Sequence, residues 1–299
     1  MGWAFFLIEL LQRYKSMKAA SFQYERPQSL LQAISLLAST DDARVLAGGQ
    51  SLLPAMNMRL ASPDLLVDIQ DLPGLKAIEE TSDGIRLGAL VTHGEIHAST
   101  LVKNKAPLLA MAVPYVAHVG IRNRGTIGGS ISLADPAAEY PAVAVATNAV
   151  IEIHGQNGLR RISSAGFFKG LYATDLQPTD ILTAVEFFKP KPNERFIFEE
   201  FARRKGDYAT VGLAGSVTVT SNVIQSAQIA FFAVGTQPVL VTHTCEALKG
   251  CELSSKEGLQ KAVQALEDDL DPMPDLQANR YTKLHLAKTL LVRALLKEG

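Results

Sequence analysis

"VLAGGQSLLPAMNMRL", residues 45–60, reads as a short strand, a glycine turn and a helix in immediate succession. Gly48 and Gly49 leave the backbone bare where the chain reverses, and Ser51 and Pro54 suit the start of the helix that follows. Bare amides beside a helix start favour the binding of an anion. No lysine follows the glycines, so this turn is not the phosphate loop of a nucleoside triphosphatase.

A second glycine turn lies within "IRNRGTIGGSISLADPAAEYP", residues 121–141. Two such turns in neighbouring subdomains favour one elongated ligand, and a diphosphate fits because main-chain amides can neutralise it without a lysine. Arg122 and Arg124 add positive charge near the second turn. Neither turn has the G-x-G-x-x-G spacing that opens a Rossmann unit.

The composition is that of a globular protein with a sizeable core. The 299 residues are enough for two or three subdomains, and 47% of them are hydrophobic. Lys and Arg number 29 against 30 Asp and Glu, which gives a net charge of -1. Because a nucleic-acid binder would carry a basic stripe, small molecules or other proteins are the expected partners.

Residues 1–16 are expected to form an extension outside the folded core. Their apolar stretch is shorter than the ~20 residues of a membrane-spanning helix, and no Lys or Arg precedes it as in a secretory signal. Met17 begins a stretch that resembles a natural protein start. We therefore expect a cytoplasmic protein without a membrane span.

The cysteines and histidines predict no metal site. Cys245 and Cys251 cannot by themselves ligate an iron–sulfur cluster, and two reduced thiols are expected. His93 and His97 have the spacing of a zinc motif, but glycine replaces its glutamate. Residues 92–95 instead predict a capping box, with a threonine followed three positions later by a glutamate. No catalytic residue is expected on this chain.

Hydrophobic periodicity predicts an α+β fold. Residues 28–40 have the spacing of an amphipathic helix, and the strands "ARVLAGG" and "DLLVDIQDL" are expected to be parallel. Further helices are predicted at residues 107–118 and 135–147, and the proline-rich residues 189–196 predict a linker. Beyond it, "ATVGLAGSVTVTS" and "SAQIAFFAVG" predict paired strands, followed by helices at "KEGLQKAVQALEDDL" and "NRYTKLHLAKTLLVRALLKEG".

The stretches "AGGQSLLPAMNMRLASPDLLVDI" and "IRNRGTIGGSISLADPAAEYPA" resemble the two flavin-binding motifs of the FAD-binding medium subunit of molybdenum hydroxylases. This family includes aerobic carbon monoxide dehydrogenase and xanthine dehydrogenase, and the likeness runs from about Met17 to the C-terminus. It implies a two-subdomain FAD-binding domain of the vanillyl-alcohol oxidase (PCMH) type, followed by a C-terminal domain of antiparallel sheet and helices. The expected boundaries are 1–16 for the extension, 17–72 and 73–189 for the two FAD-binding subdomains, and 190–299 for the C-terminal domain.

The resemblance, carried over motif by motif, assigns residues that contact FAD. The two sides of the diphosphate would be wrapped by Ala47, Gly48, Gly49, Gln50, Ser51 and Leu52 and by Thr126, Ile127, Gly128, Gly129 and Ser130. Asp135 and Glu139 would contact the ribose–adenine end, although Asp135 also fits a helix cap. Tyr208 would lie against the isoalloxazine ring, with Leu182 as a further candidate for that pocket. Without the resemblance, Tyr208 would be interpreted as a half-buried strand residue.

The sequence departs from the family pattern at three positions. Gln50 stands where many relatives have histidine, and Thr242 and Thr282 replace arginines that are common in the C-terminal domain. These two threonines put any conserved ion pair there in doubt, while the glycines of both turns are unchanged.

The resemblance implies an electron-transfer subunit. The chain would pass electrons from two [2Fe–2S] clusters on a small subunit through FAD to an external acceptor, and a large subunit would hold a molybdenum–pterin cofactor and the substrate. A dimer of heterotrimers is expected. Two alternatives stay open. One is a stand-alone NADPH-dependent flavin reductase of the enolpyruvyl-UDP-N-acetylglucosamine reductase type, and the other is a non-catalytic assembly or nucleotide-sensing protein.

Overall fold

The structure of the chain, a computed structural model, describes residues 18–253 and 255–296. The chain divides into two compact units, the first ending at Leu72 and the second beginning at Pro73. The predicted extension at residues 1–16 lies outside the described residues. Within those residues, no helix has both the length and the apolar character needed to cross a membrane.

The first unit contains a three-stranded parallel sheet and two helices. Its elements are β1 (Gln23–Glu25), α1 (Leu30–Ala38), β2 (Ala43–Leu46), α2 (Leu52–Asn57) and β3 (Leu65–Asp68). The strand order is β1-β3-β2 and both pairs are parallel, so the sequence-based prediction is confirmed. Every residue of β3 is buried, as in the central strand of a parallel sheet.

The second unit begins with a mixed region of sheet and short helices. Its strands are β4 (Ile78–Glu80), β5 (Gly84–Gly88), β6 (Val150–Gly155), β7 (Gly158–Ser163), β8 (Phe168–Gly170), β9 (Ala173–Thr174) and β10 (Ile181–Phe188). The helices are α3 (His93–Ala98), α4 (Thr100–Lys105), α5 (Pro107–Ala112), α6 (Val119–Arg122), α7 (Ile127–Leu133), α8 (Glu139–Ala146) and α9 (Ser164–Phe167). Five strands form an antiparallel sheet in the order β4-β5-β10-β6-β7, and β8 pairs with β9.

The second unit ends with an antiparallel sheet and helices of 7, 14 and 17 residues. These elements are β11 (Glu194–Phe201), β12 (Val211–Thr220), β13 (Val223–Phe232), β14 (Val239–Leu240), α10 (Thr242–Leu248), α11 (Lys256–Asp269) and α12 (Arg280–Leu296). The sheet order follows the chain, and the predicted pairing of the two long strands is confirmed, with Ala214 opposite Ala230.

This sheet of β11 to β14 is buried on both faces. Phe198 and Phe232 belong to one hydrophobic cluster together with residues of α8, and α8 contacts β12 and β13. The alternate positions Ile197, Leu213 and Phe231 belong to a second cluster with residues of α11 and α12. Because side chains alternate along a strand, successive residues contribute to opposite faces, and each face of this sheet is covered by a hydrophobic cluster. One face of the sheet is thereby packed against α8.

Three predicted elements have different limits in the structure. α5 ends at Ala112 because Pro114, two residues on, has no amide to continue the helix. α8 begins at Glu139, since Asp135 stabilises a turn ahead of the helix instead of its first turn. The predicted linker is shorter than residues 189–196, because β11 already begins at Glu194.

Candidate cofactor site

The first glycine turn, residues 47–52, joins β2 to α2 and presents free main-chain donors. Gly49 has a φ of +71°, which favours glycine, and a Cβ there would lie 3.0 Å from Leu53 Cδ1. Gln50 Nε2 donates to the Gly48 carbonyl at 3.0 Å and holds the turn. The amides of residues 48–51 donate no hydrogen bond to any group in the part of the chain that the structure describes. The turn therefore suits an anion.

Ser51 does not cap α2 through its side chain, contrary to the sequence-based expectation. Its carbonyl accepts the Ala55 amide at 3.1 Å, while the residue itself is exposed. Ala47 is half-buried, and Leu52 packs against the small core of Leu46 and Met56. Thus Leu52 supports the turn from the protein side.

The second glycine turn, residues 126–130, has most of its amides already bonded within the protein. Thr126 caps α7 by accepting the Gly129 amide at 3.1 Å. The amides of Ile127 and Gly128 donate to the carbonyls of Val91 and Ala89 at 3.0 and 2.9 Å. Their involvement leaves the side-chain hydroxyls, including that of half-buried Ser130, as the donors that this turn can offer a ligand.

Gly128 is required by packing. A Cβ at this position would lie 2.5 Å from the Cβ of Ala89 and 2.7 Å from its carbonyl oxygen. Ile127 is fully buried in the core of the second unit. The second turn therefore fixes α7 against the end of β5. The polar side chains of the turn are those of Thr126 and Ser130.

Asp135 organises a turn between α7 and α8. Its Oδ1 accepts the Ala137 amide at 2.9 Å, and its Oδ2 accepts the Tyr172 hydroxyl at 3.4 Å. The cap interpretation is thus correct for a turn and wrong for the helix, whose N-cap residue is Ala138. Ala134 and Tyr172 both have positive φ, at 52°. Such backbone strain in non-glycine residues concentrates at functional sites.

Two carboxyl groups, buried Glu139 and half-buried Glu200, lie close to this turn. Glu139 is 9% exposed, and burial raises its pKa to about 7, with the charge of Asp135 adding to the effect and a backbone hydrogen bond opposing it. Burial, together with the charge of Glu139, raises the pKa of Glu200 to about 8. Glu200 Oε2 is buried and has no hydrogen-bond partner among the described residues.

Sequence reasoning missed Glu200. Its signal was a charged residue at an apolar position, since Phe196, Phe198 and Glu200 alternate along β11 and share one face of the strand. His93 was considered only as a metal ligand. Its ring is buried and packs edge-on against Tyr140, with centroids 5.0 Å apart, and burial lowers its pKa to about 4. We therefore interpret His93 as an uncharged imidazole that packs in the core.

Tyr208 lies in the loop between β11 and β12, and not in a strand. It is 62% exposed, and partial burial together with the nearby charge of Asp135 raises its pKa. The structure thus brings Tyr208 near Asp135, Tyr172 and Glu139, which agrees with a shared site. Leu182 is 4% exposed and packs within the core, just before a bulge in β10.

Within residues 18–253 and 255–296, no three His, Cys, Asp or Glu side chains are grouped to hold a metal ion. In the first unit, a glycine turn has free main-chain donors that suit an anion. In the second unit, the buried carboxyl of Glu139 and the exposed Tyr208 lie near the turn of Asp135.

Comparison with known proteins gives the class of protein. Residues 20–190 match the family described as the FAD binding domain in molybdopterin dehydrogenase, and residues 196–297 match the CO dehydrogenase flavoprotein C-terminal domain. The chain belongs to this family of FAD-binding oxidoreductase subunits. The fold and the family predicted from the two glycine turns are confirmed, and so is FAD as the cofactor of the domain.

Relatives match the chain over nearly its whole length. The nicotine 6-hydroxylase medium subunit of Paenarthrobacter nicotinovorans is 35% identical, over 95% of this chain and 99% of the relative. The carbon monoxide dehydrogenase medium chain of Hydrogenophaga pseudoflava is 33% identical, over 92% and 96%. The crystal structure of quinoline 2-oxidoreductase from Pseudomonas putida 86 superimposes with a TM-score of 0.89 at 35% identity, covering 93% of this chain and 97% of that one.

Proposed function

We propose that this chain binds one FAD and transfers electrons within a molybdenum-containing hydroxylase or dehydrogenase. The observation that carries this proposal is the first glycine turn, whose free amides occur in a chain similar to medium subunits over nearly its full length. When bound, FAD accepts two electrons and can release them singly, which connects one-electron and two-electron donors.

The residues of the site fit FAD in their donor chemistry. In the first unit, the free amides of residues 48–51 suit a diphosphate. In the second unit, Thr126 and Ser130 carry hydroxyl groups that can donate to a ligand. The buried carboxyl of Glu139 would accept hydrogen bonds from the ribose–adenine end. Tyr208 is exposed and able to cover one face of the isoalloxazine ring.

The other redox centres are proposed to lie on two partner subunits. Relatives are named medium subunit or medium chain, and these names imply a larger and a smaller partner. We assign the molybdenum–pterin cofactor and the substrate to the large one and two [2Fe–2S] clusters to the small one. A cytoplasmic dimer of such heterotrimers stays a prediction, and so do the four domain boundaries. Because the relatives' names cover nicotine and carbon monoxide, no substrate is assigned.

Purification from the native host, with whatever elutes together with the chain, tests this proposal. For each copy of this chain we expect about one FAD, one molybdenum and four iron atoms, the iron corresponding to two [2Fe–2S] clusters. A preparation that contains FAD but neither metal would contradict the assignment to a molybdenum complex.

The reductase alternative is separated by a second measurement. The chain expressed alone should not oxidise the substrate of the complex, and NADPH should not bleach its yellow colour. Rapid bleaching by NADPH would instead support the stand-alone reductase, which the full-length comparisons do not favour. A chain without bound flavin after gentle purification would support the non-catalytic alternative.

A further inference from the structure

The segment of residues 270–279 joins α11 to α12 and contacts residues just outside two strands, Val234 after β13 and Thr210 before β12. Its Met273 amide donates to the Val234 carbonyl at 3.1 Å. Its Gln277 Oε1 accepts the Thr210 hydroxyl at 2.8 Å, and Thr210 lies two residues after Tyr208. This part of the C-terminal region is therefore tied to the loop that carries the tyrosine.

Lys283, in the first turn of α12, is the buried centre of this arrangement. It is 4% exposed, and its Nζ donates to the Ala233 carbonyl and to Asp275 Oδ2, each at 2.7 Å. The other oxygen of Asp275 accepts the amides of Gln277 and Ala278 at 2.7 and 2.9 Å. A buried ammonium group needs such partners. Without it, the Ala233 carbonyl and the Asp275 carboxylate would each lose a hydrogen-bond donor.

The carbonyl bonded by Lys283 belongs to a residue in a strained conformation. Ala233 has a φ of +61°, in the left-handed region that alanine rarely adopts. Its amide donates to the Pro136 carbonyl at 2.8 Å, within the turn that Asp135 organises. Ala134, on the other side of that turn, has a φ of 52°. Strained residues of this kind persist only where surrounding contacts hold them.

We propose that Lys283 is a positioning residue of the FAD site, which acts through Ala233 on the turn of Asp135 and Glu139. The inference rests on the proposed role of Glu139 in FAD binding, and Asp135 shapes the turn that precedes Glu139. The ammonium group fixes the Ala233 peptide, the Ala233 amide fixes Pro136, and the turn then presents its side chains in one arrangement. Asp275 connects the same ammonium group to Gln277 and hence to the Tyr208 loop.

The test compares three variants of the full chain with the wild type. Lys283→Met removes the donor, and Lys283→Arg keeps a cation that can donate to the Ala233 carbonyl and to Asp275. The control Lys288→Met changes a lysine of the same helix that pairs with Glu267. The Kd for FAD is measured by flavin fluorescence, and the visible circular dichroism of bound FAD reports its arrangement. Because a hydrogen bond from a charged group is lost, Lys283→Met should raise the Kd about tenfold or more and change the dichroism.

The control Lys288→Met should leave both readouts unchanged, and Lys283→Arg should restore most of the affinity. A folded Lys283→Met protein with wild-type Kd and dichroism would overturn the inference. If Lys283→Met does not fold, Asp275→Asn replaces it, because its smaller change loosens the same ammonium group. A raised Kd in Asp275→Asn supports the inference and an unchanged one overturns it. Wild-type protein that does not bind FAD would instead contradict the proposed function itself.

Discussion

Gly49 and Gly128 share a residue type and differ in physical role. Gly49 adopts a left-handed backbone in the first glycine turn, where the amides stay free for a ligand. Gly128 allows α7 to approach Ala89 so closely that even a methyl group would overlap it. The sequence alone assigned both glycines to the ligand, because a double glycine does not distinguish conformation from packing.

Gly128→Ala is expected to lower the free energy of unfolding by about 1–3 kcal/mol, since the added methyl overpacks the contact with Ala89. Urea unfolding of the purified chain measures the effect. Gly166→Ala is the matched control, because a Cβ there meets nothing within 4 Å. Equal stability of the Gly128→Ala and wild-type proteins would show that the contact relaxes without cost.

The stability of the chain should fall as pH rises, because Glu139 and Glu200 hold protons in the folded state. Their pKa values rise from 4.5 to about 7 and about 8, so the folded state binds more protons than the unfolded state between these limits. The Glu200→Gln side chain cannot ionise. At about pH 8.5 the free energy of unfolding of this variant should therefore exceed that of the wild type by on the order of 2 kcal/mol.

Urea unfolding of the wild-type and Glu200→Gln proteins across this pH range checks the prediction. Exposed Glu246 in α10 supplies the control variant Glu246→Gln, which should follow the wild-type curve. The advantage of Glu200→Gln should disappear at about pH 5, where the wild-type carboxyl groups are protonated in the folded protein. An equal advantage at both pH values would mean that ionisation is not the cause.

At the scale of elements, local sequence patterns were sufficient to predict individual helices and strand pairs, but not contacts between residues far apart in the chain. The capping box at α3 is present as predicted, with the Glu95 amide donating to Thr92 Oγ1 at 3.2 Å and the Thr92 amide donating to Glu95 Oε2 at 2.8 Å. The parallel pair around β3 and the antiparallel pair β12–β13 also follow from local patterns. Lys283 and Ala233 are 50 residues apart, and no local pattern reports their contact.

Thr92→Ala should lower the free energy of unfolding by about 1 kcal/mol, because the first turn of α3 loses the acceptor for its amide. Thr92→Ser keeps a hydroxyl at this position and should recover most of the loss. Thermal or urea unfolding of the three proteins under one condition provides the comparison. A Thr92→Ser protein as unstable as Thr92→Ala would assign the effect to the lost methyl group instead.

At the scale of the whole molecule, cofactor binding should be visible as stability. A ligand that binds only the folded state at about 100 times its Kd stabilises it by about 2.7 kcal/mol. FAD should therefore raise the melting temperature of the chain. Riboflavin, which lacks the diphosphate, should raise it far less if the free amides of the first turn hold the phosphates. Equal shifts with both ligands would contradict that assignment.

The two family matches divide the chain near residue 190, yet the sheet of β11 to β14 is covered on both faces. Cutting the gene at that point would strip α8 of the strands it packs on and expose Phe198 and Phe232 on the other piece. Each fragment should then aggregate when produced separately and be recovered only by co-expression. Residues 73–299 therefore form one unit that contains the junction between the two family matches.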